Sequence, residues 1–292
     1  MKANAKINIF LRIRGIMPEG YHDLYMLMQE IDLADDVEIL WNDDGKGTIF
    51  IESEADCEPE KDLCYKAAAA YYARLGANNL PSITIKETKN TPSQAGLGGG
   101  SSDAALILKE MQKRFGNPFS YDEMIDLAKS IGADVPFFLV GGSCICEGIG
   151  EIITPLPSLG GLPMILVKPS EGVPTGPCFK LSDSRENTYS DEYMNKISKI
   201  FEDESLSATQ RLTAAKGILV NDLQEPAQEL VPRIKDLVQM LGETKPIMAA
   251  MSGSGSCVFA IYESESDRDS AVSRVEKDPR SADCRIFRAS TV

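Results

Sequence analysis

Residues 89–115 read KNTPSQAGLGGGSSDAALILKEMQKRF. Four glycines (Gly96, Gly98, Gly99 and Gly100) fall within five positions, and Ser101, Ser102 and Asp103 follow at once. From Ala104 to Phe115 nearly every residue is a strong helix former. Glycine lets backbone N–H groups approach a ligand with no Cβ in the way. The first turn of a helix adds unsatisfied N–H donors and the positive end of the helix dipole. Together these features describe an anion site, and phosphate is the anion it suits best. The competing reading is a flexible linker before a helix capped by Ser or Asp. It fits less well, because linkers are diluted with polar residues and do not run directly into an apolar helix. No Gly-Lys-Ser/Thr closes the loop, so it is not a Walker A motif, and Gly96-x-Gly98-x-x ends on Ser101 rather than on a dinucleotide-binding glycine. Asp103 repels an incoming phosphate but suits a cap or a dipole partner.

The 292 residues leave room for two medium domains. Apolar content of 43% and charged content of 25% are those of a globular protein, and a net charge of −14 argues against nucleic acid or an anionic membrane as partner. Small anions stay open, since local lysines and backbone dipoles capture them. The seven cysteines (57, 64, 144, 146, 178, 257 and 284) are odd in number and contain no Cys-x-x-Cys pair. Reduced thiols in a cytoplasmic protein are therefore expected. His22 is the only histidine, so neither a zinc site nor a mechanism with two imidazoles is expected. The first residues break their apolar run too often for a signal peptide, and no run approaches the roughly 18 apolar residues of a membrane span.

Outward from the loop, residues 5–13 alternate as a strand, with Ile7, Ile9, Leu11 and Ile13 on one face and Lys6, Asn8, Phe10 and Arg12 on the other. The polar face reads locally as a solvated edge, with a polar site wall as the alternative. Tyr21 and His22 follow a Pro18-Glu19-Gly20 turn. Val37–Trp41 and Thr48–Ile51 suggest a hairpin, Lys61–Leu75 a helix closed by Gly76, and Ser82–Lys86 a strand leading into the glycines. Ser120-x-x-Glu123 is a capping box opening a helix that Gly132 ends. Asp134 then precedes the apolar Val135–Leu139 and reads locally as a turn residue. The breakers between Gly141 and Pro163 suggest a domain boundary near residue 155. Beyond it we expect a strand at Met164–Val167 and helices over 190–201, 208–216 and 226–241. Strands at 247–250 and 256–262, a helix at 267–275 and a strand at 284–288 complete the chain. That β-α-β-β-α-β order suggests a ferredoxin-like sandwich. A second glycine loop, Met251-Ser-Gly-Ser-Gly-Ser-Cys257, reads as a hairpin turn, a phosphate-facing loop or a support for the first.

Three of these stretches stand in a telling order: AKINIFL from residue 5, PSQAGLGGGSSDAA from residue 92 and MSGSGSCVFAIY from residue 251. They resemble the GHMP kinase superfamily, whose loop Pro-x-x-x-Gly-Leu-Gly-x-x-Ser-Ser is filled by Pro92–Ser102. GYHDL, GADVPFFL and EGIGE are similar to one branch of it, whose acceptor is a cytidine diphosphate sugar alcohol on the route to isoprenoid precursors. The resemblance implies an α+β, two-domain fold. Residues 1–155 would form a ribosomal-protein-S5-like ATP-binding domain and 156–292 a ferredoxin-like substrate domain, with the active site in the cleft between them. It raises Lys6 and Asp134 to catalytic candidates, Asp134 taking the proton of an attacking hydroxyl and Lys6 compensating charge. It implies ATP held by Pro92, Ala95, Gly96, Leu97, Gly98, Gly99, Gly100, Ser101 and Ser102, with Mg²⁺ as the accompanying ion and no protein ligand assigned to it. Asn8, Tyr21, His22 and Phe179 would bind the acceptor, with Tyr21 and Phe179 sandwiching the base. Gly253, Ser254 and Gly255 would form a supporting loop. A cytoplasmic monomer or homodimer with only small-molecule partners is implied. The chain departs from the family pattern at Asp62-Leu63-Cys64, where Asn-Leu-Ile/Val is usual on the adenine side, and at Gly176, where proline is common.

Overall fold

A computed structural model describes residues 1–53, 58–185 and 190–292. Cys57, among the thiols expected to be reduced, lies outside the described residues, and the other six cysteines are free. The chain forms two compact units: Met1–Ala5 with Ala34–Thr91 and Gly98–Gly141, and Lys6–Leu33 with Pro92–Leu97 and Gly142–Val292. Strands β1 (Lys2–Ile16) and β2 (His22–Asn42) contribute residues to both.

In the first unit, β4 (Ser82–Thr88) is central. Its Ile83 and Ile85 are buried, β2 lies antiparallel on one side (Ile39 opposite Ile85), and β3 (Ile49–Ser53) lies parallel on the other (Ile51 opposite Ile85). The hairpin expected of Val37–Trp41 and Thr48–Ile51 therefore does not form. The more deeply buried β4 takes the place between them, and helix α1 (Leu63–Leu75) supplies the crossover that a parallel β3–β4 pair needs. Asp62 caps α1, accepting from the backbone N–H groups of Cys64 at 2.7 Å and Tyr65 at 3.4 Å, and Gly76 ends it in the left-handed conformation. Its buried stripe, Cys64, Ala67, Ala68, Tyr71 and Tyr72, follows helical spacing and packs against α2 (Gly99–Arg114). Helix α3 (Tyr121–Ile131) opens with the expected capping box of Ser120 and Glu123, and α4 (Val135–Val140) follows.

The second unit contains the expected ferredoxin-like order. Strands β7 (Pro163–Lys168), β8 (Met248–Met251), β9 (Val258–Ile261) and β10 (Arg285–Ser290) form an antiparallel sheet ordered β10-β7-β9-β8. Helices α9 (Arg233–Gly242) and α10 (Glu265–Val275) pack on it. The crossover from β7 to β8 also carries α5 (Thr175–Ser182), α6 (Asp191–Glu202), α7 (Ala208–Ala214) and α8 (Gln224–Leu230). The single helix expected over 226–241 is two, because Pro232 has no N–H to donate and forces Val231 out of the helical region. In the same unit β5 (Ser143–Gly148) pairs with the first half of β2 and with β6 (Ile152–Pro155), and it buries Cys144 and Cys146.

The polar face of β1 is not a solvated edge. Lys6, Asn8 and Arg12 are 3%, 1% and 8% exposed. The strand's free side is covered by Val220–Asp222, where the Leu11 N–H donates to Val220 O at 2.9 Å and the Asp222 N–H donates to Leu11 O at 2.9 Å.

Candidate active site

The two glycine-rich loops meet within the second unit. The leg Gln94–Gly96 runs against Ser252–Cys257. Ser256 and Cys257 N–H groups donate to the carbonyls of Gln94 at 3.3 Å and Ala95 at 3.2 Å, and the Ser252 hydroxyl donates to Gly96 O at 2.8 Å. Gly96 has φ +72°, and a Cβ there would stand 2.0 Å from the Ser252 carbonyl oxygen. Only glycine permits this approach of two main chains. Gly253 and Gly255 also have positive φ, and Thr175 and Ser254 share a hydroxyl contact at 3.1 Å. The Asn221 side chain donates to Met251 O at 2.9 Å and Gly253 O at 2.8 Å, fastening the second loop. The loop is the hairpin turn joining β8 to β9, with the Ser252 N–H donating to Cys257 O at 3.0 Å, and the same turn lies against the first loop through the contacts above.

Strand β1 joins the same arrangement. The Lys6 N–H donates to Leu97 O at 2.9 Å, and the Asn8 N–H donates to the Ser252 hydroxyl at 3.2 Å. The Lys6 ammonium donates to Asn8 Oδ1 at 2.5 Å. An ammonium and an amide two residues apart thus share one buried face of a strand whose main chain meets Leu97, inside the glycine run. Ser252 and Asn221 escaped sequence reasoning. A serine three residues before the second loop's last glycine carried a weak signal, and Asn221 carried none.

The rest of the glycine run belongs to the first unit, where Gly98, in the left-handed conformation, caps α2 and accepts from the Ser102 N–H at 2.9 Å. The helix therefore starts among the glycines, earlier than the Ala104 start expected, and leaves the first-turn N–H groups of Gly99, Gly100 and Ser101 without intrahelical partners. Gly99 lies tight on Thr91, its virtual Cβ 2.9 Å from Thr91 Cγ2. Ser101 Oγ lies 3.8 Å from the position of a Cβ on Gly132, just before Asp134 in the chain. Asp134 is half-buried in the turn that the Val135 N–H closes on Gly132 O at 3.1 Å, as expected of its backbone, and at the N-cap of α4 its side chain makes no capping bond.

Asp103 is not a cap. It sits inside α2, 1% exposed, and pairs with Lys89, which also meets Asp35 Oδ2 at 2.5 Å. Asp35 Oδ1 in turn accepts the N–H groups of Asn90 and Thr91, each at 2.6 Å. Burial pushes the Asp103 carboxyl up to about 7, with Lys89 offsetting part of the rise. Burial also works to strip the proton from Lys89, but the charges and hydrogen bonds of Asp103 and Asp35 outweigh it and hold the ammonium above the usual lysine range. This buried pair of carboxylates around one cation ties the helix start to the end of β4.

In the second unit His22 and Phe179 come together, ring centroids 4.6 Å apart and planes inclined by 32°. Tyr21 stands 61% exposed beside His22 in the chain. Phe179 rides on α5, a helix that sequence reasoning missed because Gly176 and Pro177 mask its pattern.

Among the described residues one group of three potential metal-binding side chains gathers, Asp62, Cys64 and Glu87, with ligand atoms within 4.8 Å. It does not suit Mg²⁺, which takes oxygen ligands and waters. Asp62 is occupied as the α1 cap, and burial followed by the Glu87 charge keeps the Cys64 thiol far above its ordinary pKa. No helix among the described residues is long and apolar enough to cross a membrane.

Two family models match this chain, the GHMP kinases N terminal domain over residues 62–142 and the GHMP kinases C terminal over residues 204–280. A Desulfitobacterium hafniense 4-diphosphocytidyl-2-C-methyl-D-erythritol kinase is 35% identical over 266 residues, covering 91% of this chain and 87% of that protein. The chain belongs to the GHMP kinase family. Its Geobacter metallireducens relative, of the same name, is 32% identical and covers 94% of this GHMP kinase and 93% of the relative. A crystal structure of 4-(cytidine 5'-diphospho)-2C-methyl-D-erythritol kinase superposes with a TM-score of 0.78 at 27% identity, covering 100% of this kinase and 98% of that chain. Membership makes the protein a phosphotransferase that uses ATP, and it agrees with the fold class read from the motifs.

Proposed function

We propose that this kinase transfers the γ-phosphate of ATP to the 2-hydroxyl of 4-diphosphocytidyl-2-C-methyl-D-erythritol, giving the 2-phosphate and ADP, on the non-mevalonate route to isoprenoid precursors. The observation that carries the choice of acceptor is the His22–Phe179 ring pair. A cytosine has a face to stack and an edge to bind, whereas homoserine or a phosphorylated mevalonate has no base, and stacking is worth about 1–3 kcal/mol per base. The names of the curated relatives point the same way.

In this reading Asp134 accepts the proton of the attacking hydroxyl. The new oxygen–phosphorus bond forms as the bond to the β-phosphate's bridging oxygen breaks, and the electron pair leaves on ADP. Lys6, already buried beside Asn8, offsets charge on the phosphoryl oxygens. Main-chain N–H groups from Gly96 to Ser102 cradle the phosphates, with Pro92 and Ala95 shaping the entry to the loop. Asn8 and Tyr21 complete the acceptor's surroundings. Mg²⁺ arrives as part of the nucleotide substrate and supplies charge neutralisation there. Residues 1–155 and 156–292 serve as the nucleotide and acceptor domains.

The test is turnover. Incubated with Mg·ATP and the cytidyl substrate, the protein releases ADP in step with a phosphorylated product. Asp134→Asn lowers kcat by about 10²- to 10⁴-fold, the usual contribution of a general base, and leaves the KM for ATP nearly unchanged. Wild-type turnover in that variant removes the general-base role, and absence of turnover by the wild type at high enzyme concentration removes the function.

A further inference from the structure

The ring of His22 is held in two directions by a single turn of helix. Phe179 lies against its face at 4.6 Å between centroids. Asp183 meets its edge, with Oδ1 2.6 Å from Nε2. The two are four residues apart, and the Asp183 N–H closes the end of α5 on Phe179 O at 3.2 Å. This helix end is itself anchored, because Arg185 pairs with Glu225 and Glu229. On the other side of the ring's own backbone, Asp23 is pinned by Arg14 at 2.6 Å, and Arg14 also reaches Glu147 at 2.6 Å. The His22 side chain is 16% exposed and that of Asp183 36%, so the ring is largely covered while the carboxylate stays partly open to solvent.

A neutral imidazole has one N–H donor and one bare acceptor nitrogen, and its hydrogen-bond partner decides which is which. A carboxylate only accepts, so it draws the proton to the nitrogen it faces. We propose that Asp183 is a positioning residue of the acceptor site. Its carboxylate holds the Nε2–H of His22, so the stacked ring offers a bare Nδ1 to a pyrimidine that carries an amino group. Such an acceptor nitrogen matches the exocyclic amine of a cytosine and is repelled by the carbonyl oxygen that a uracil has at the same position. The inference rests on the cytidyl-substrate reading above and adds to it the residue that makes the base choice.

His22 is the only histidine in the chain, so its imidazole nitrogens give a single set of long-range ¹H–¹⁵N correlations, free of overlap. Recorded on substrate-free protein at the alkaline end of the ring's titration, these report the tautomer directly. Wild type is expected as the Nε2–H form, Asp183→Ala as a mixture or the Nδ1–H form, and Asp183→Glu as a partial return. In steady-state kinetics Asp183→Ala raises the KM for the cytidyl substrate by about tenfold, the worth of one charge-assisted hydrogen bond, and erodes discrimination against the uridyl analogue. The KM for ATP and kcat stay within about twofold, because no reacting atom is touched. An Nδ1–H ring in the wild type, or Asp183→Ala with unchanged tautomer and unchanged base discrimination, overturns the inference. Absence of turnover with the Nε2–H form intact overturns the assigned activity alone, and CDP against UDP binding by calorimetry then reads base choice without catalysis. Equal affinity for the two also overturns the inference.

Discussion

Alanine at position 96 would place a methyl carbon 2.0 Å from the carbonyl oxygen of Ser252 and 2.9 Å from its carbonyl carbon. Neither atom belongs to a flexible side chain, so one main chain must move. The cost has two parts. Holding a non-glycine residue at φ +72° costs about 1–2 kcal/mol, and forcing a methyl group into a packed contact costs about 1–3 kcal/mol more. The sum is about 2–5 kcal/mol, to be read as a lower urea midpoint by circular dichroism. Where the loops yield instead of the fold, the displacement cannot stay local. Ser252 bonds both Gly96 O and the Asn8 N–H, so moving it shifts the strand that carries Lys6. The KM for ATP then rises with the stability loss. Gly100→Ala is the control, since its Cβ would meet only Leu63 Cδ1 at an ordinary 3.5 Å and would gain about 1 kcal/mol of helix propensity. A loss of ATP affinity in Gly100→Ala with unchanged or higher stability marks the backbone there as close to the phosphates. Wild-type urea midpoint together with wild-type KM for ATP in Gly96→Ala would refute the claim that the two loops are mutually supporting.

Asp62→Ala removes the α1 cap and is expected to cost about 1 kcal/mol in equilibrium unfolding, while Asp62→Asn keeps most of it; equal losses in both variants would show that the cap is not the source. Asp103 makes stability depend on pH. Its folded pKa, about 7, lies above the 3.8 of a free carboxyl, so its contribution is fully present below the lower value and is lost as pH rises through the upper one. Wild type therefore loses stability relative to Asp103→Asn between about pH 4 and 7, at up to about 1.4 kcal/mol per pH unit within that window. Parallel urea midpoints for the two proteins across the range would exclude this.

Much of the molecule was legible because its signals are short. The capping box at Ser120 and Glu123, the left-handed stop at Gly76 and the alternation of residues 5–13 each span a few residues and act through their own backbone. The glycine run at the head of α2 was equally plain, since positive φ is a local property, although the helix itself starts at Gly99 and not at Ala104. What the sequence could not display were contacts between distant stretches. The same alternation suits a wet face or a dry one, and Lys6 and Asn8 are buried on a strand that meets Leu97, Val220–Asp222 and Ser252, the last two from more than two hundred residues away; the Asn8–Ser252 bond spans 244 positions. Likewise β4 displaced the expected hairpin because competition for the central place in a sheet is settled by all three strands at once. The edge contact of Asp183 on His22, 161 positions apart, belongs to the same class. Residue types and spacings determined which local elements form and which family they signal. The assembled chain decided which polar groups lose their water and whom they then face, because desolvation depends on everything that packs around a group and not on its neighbours in sequence.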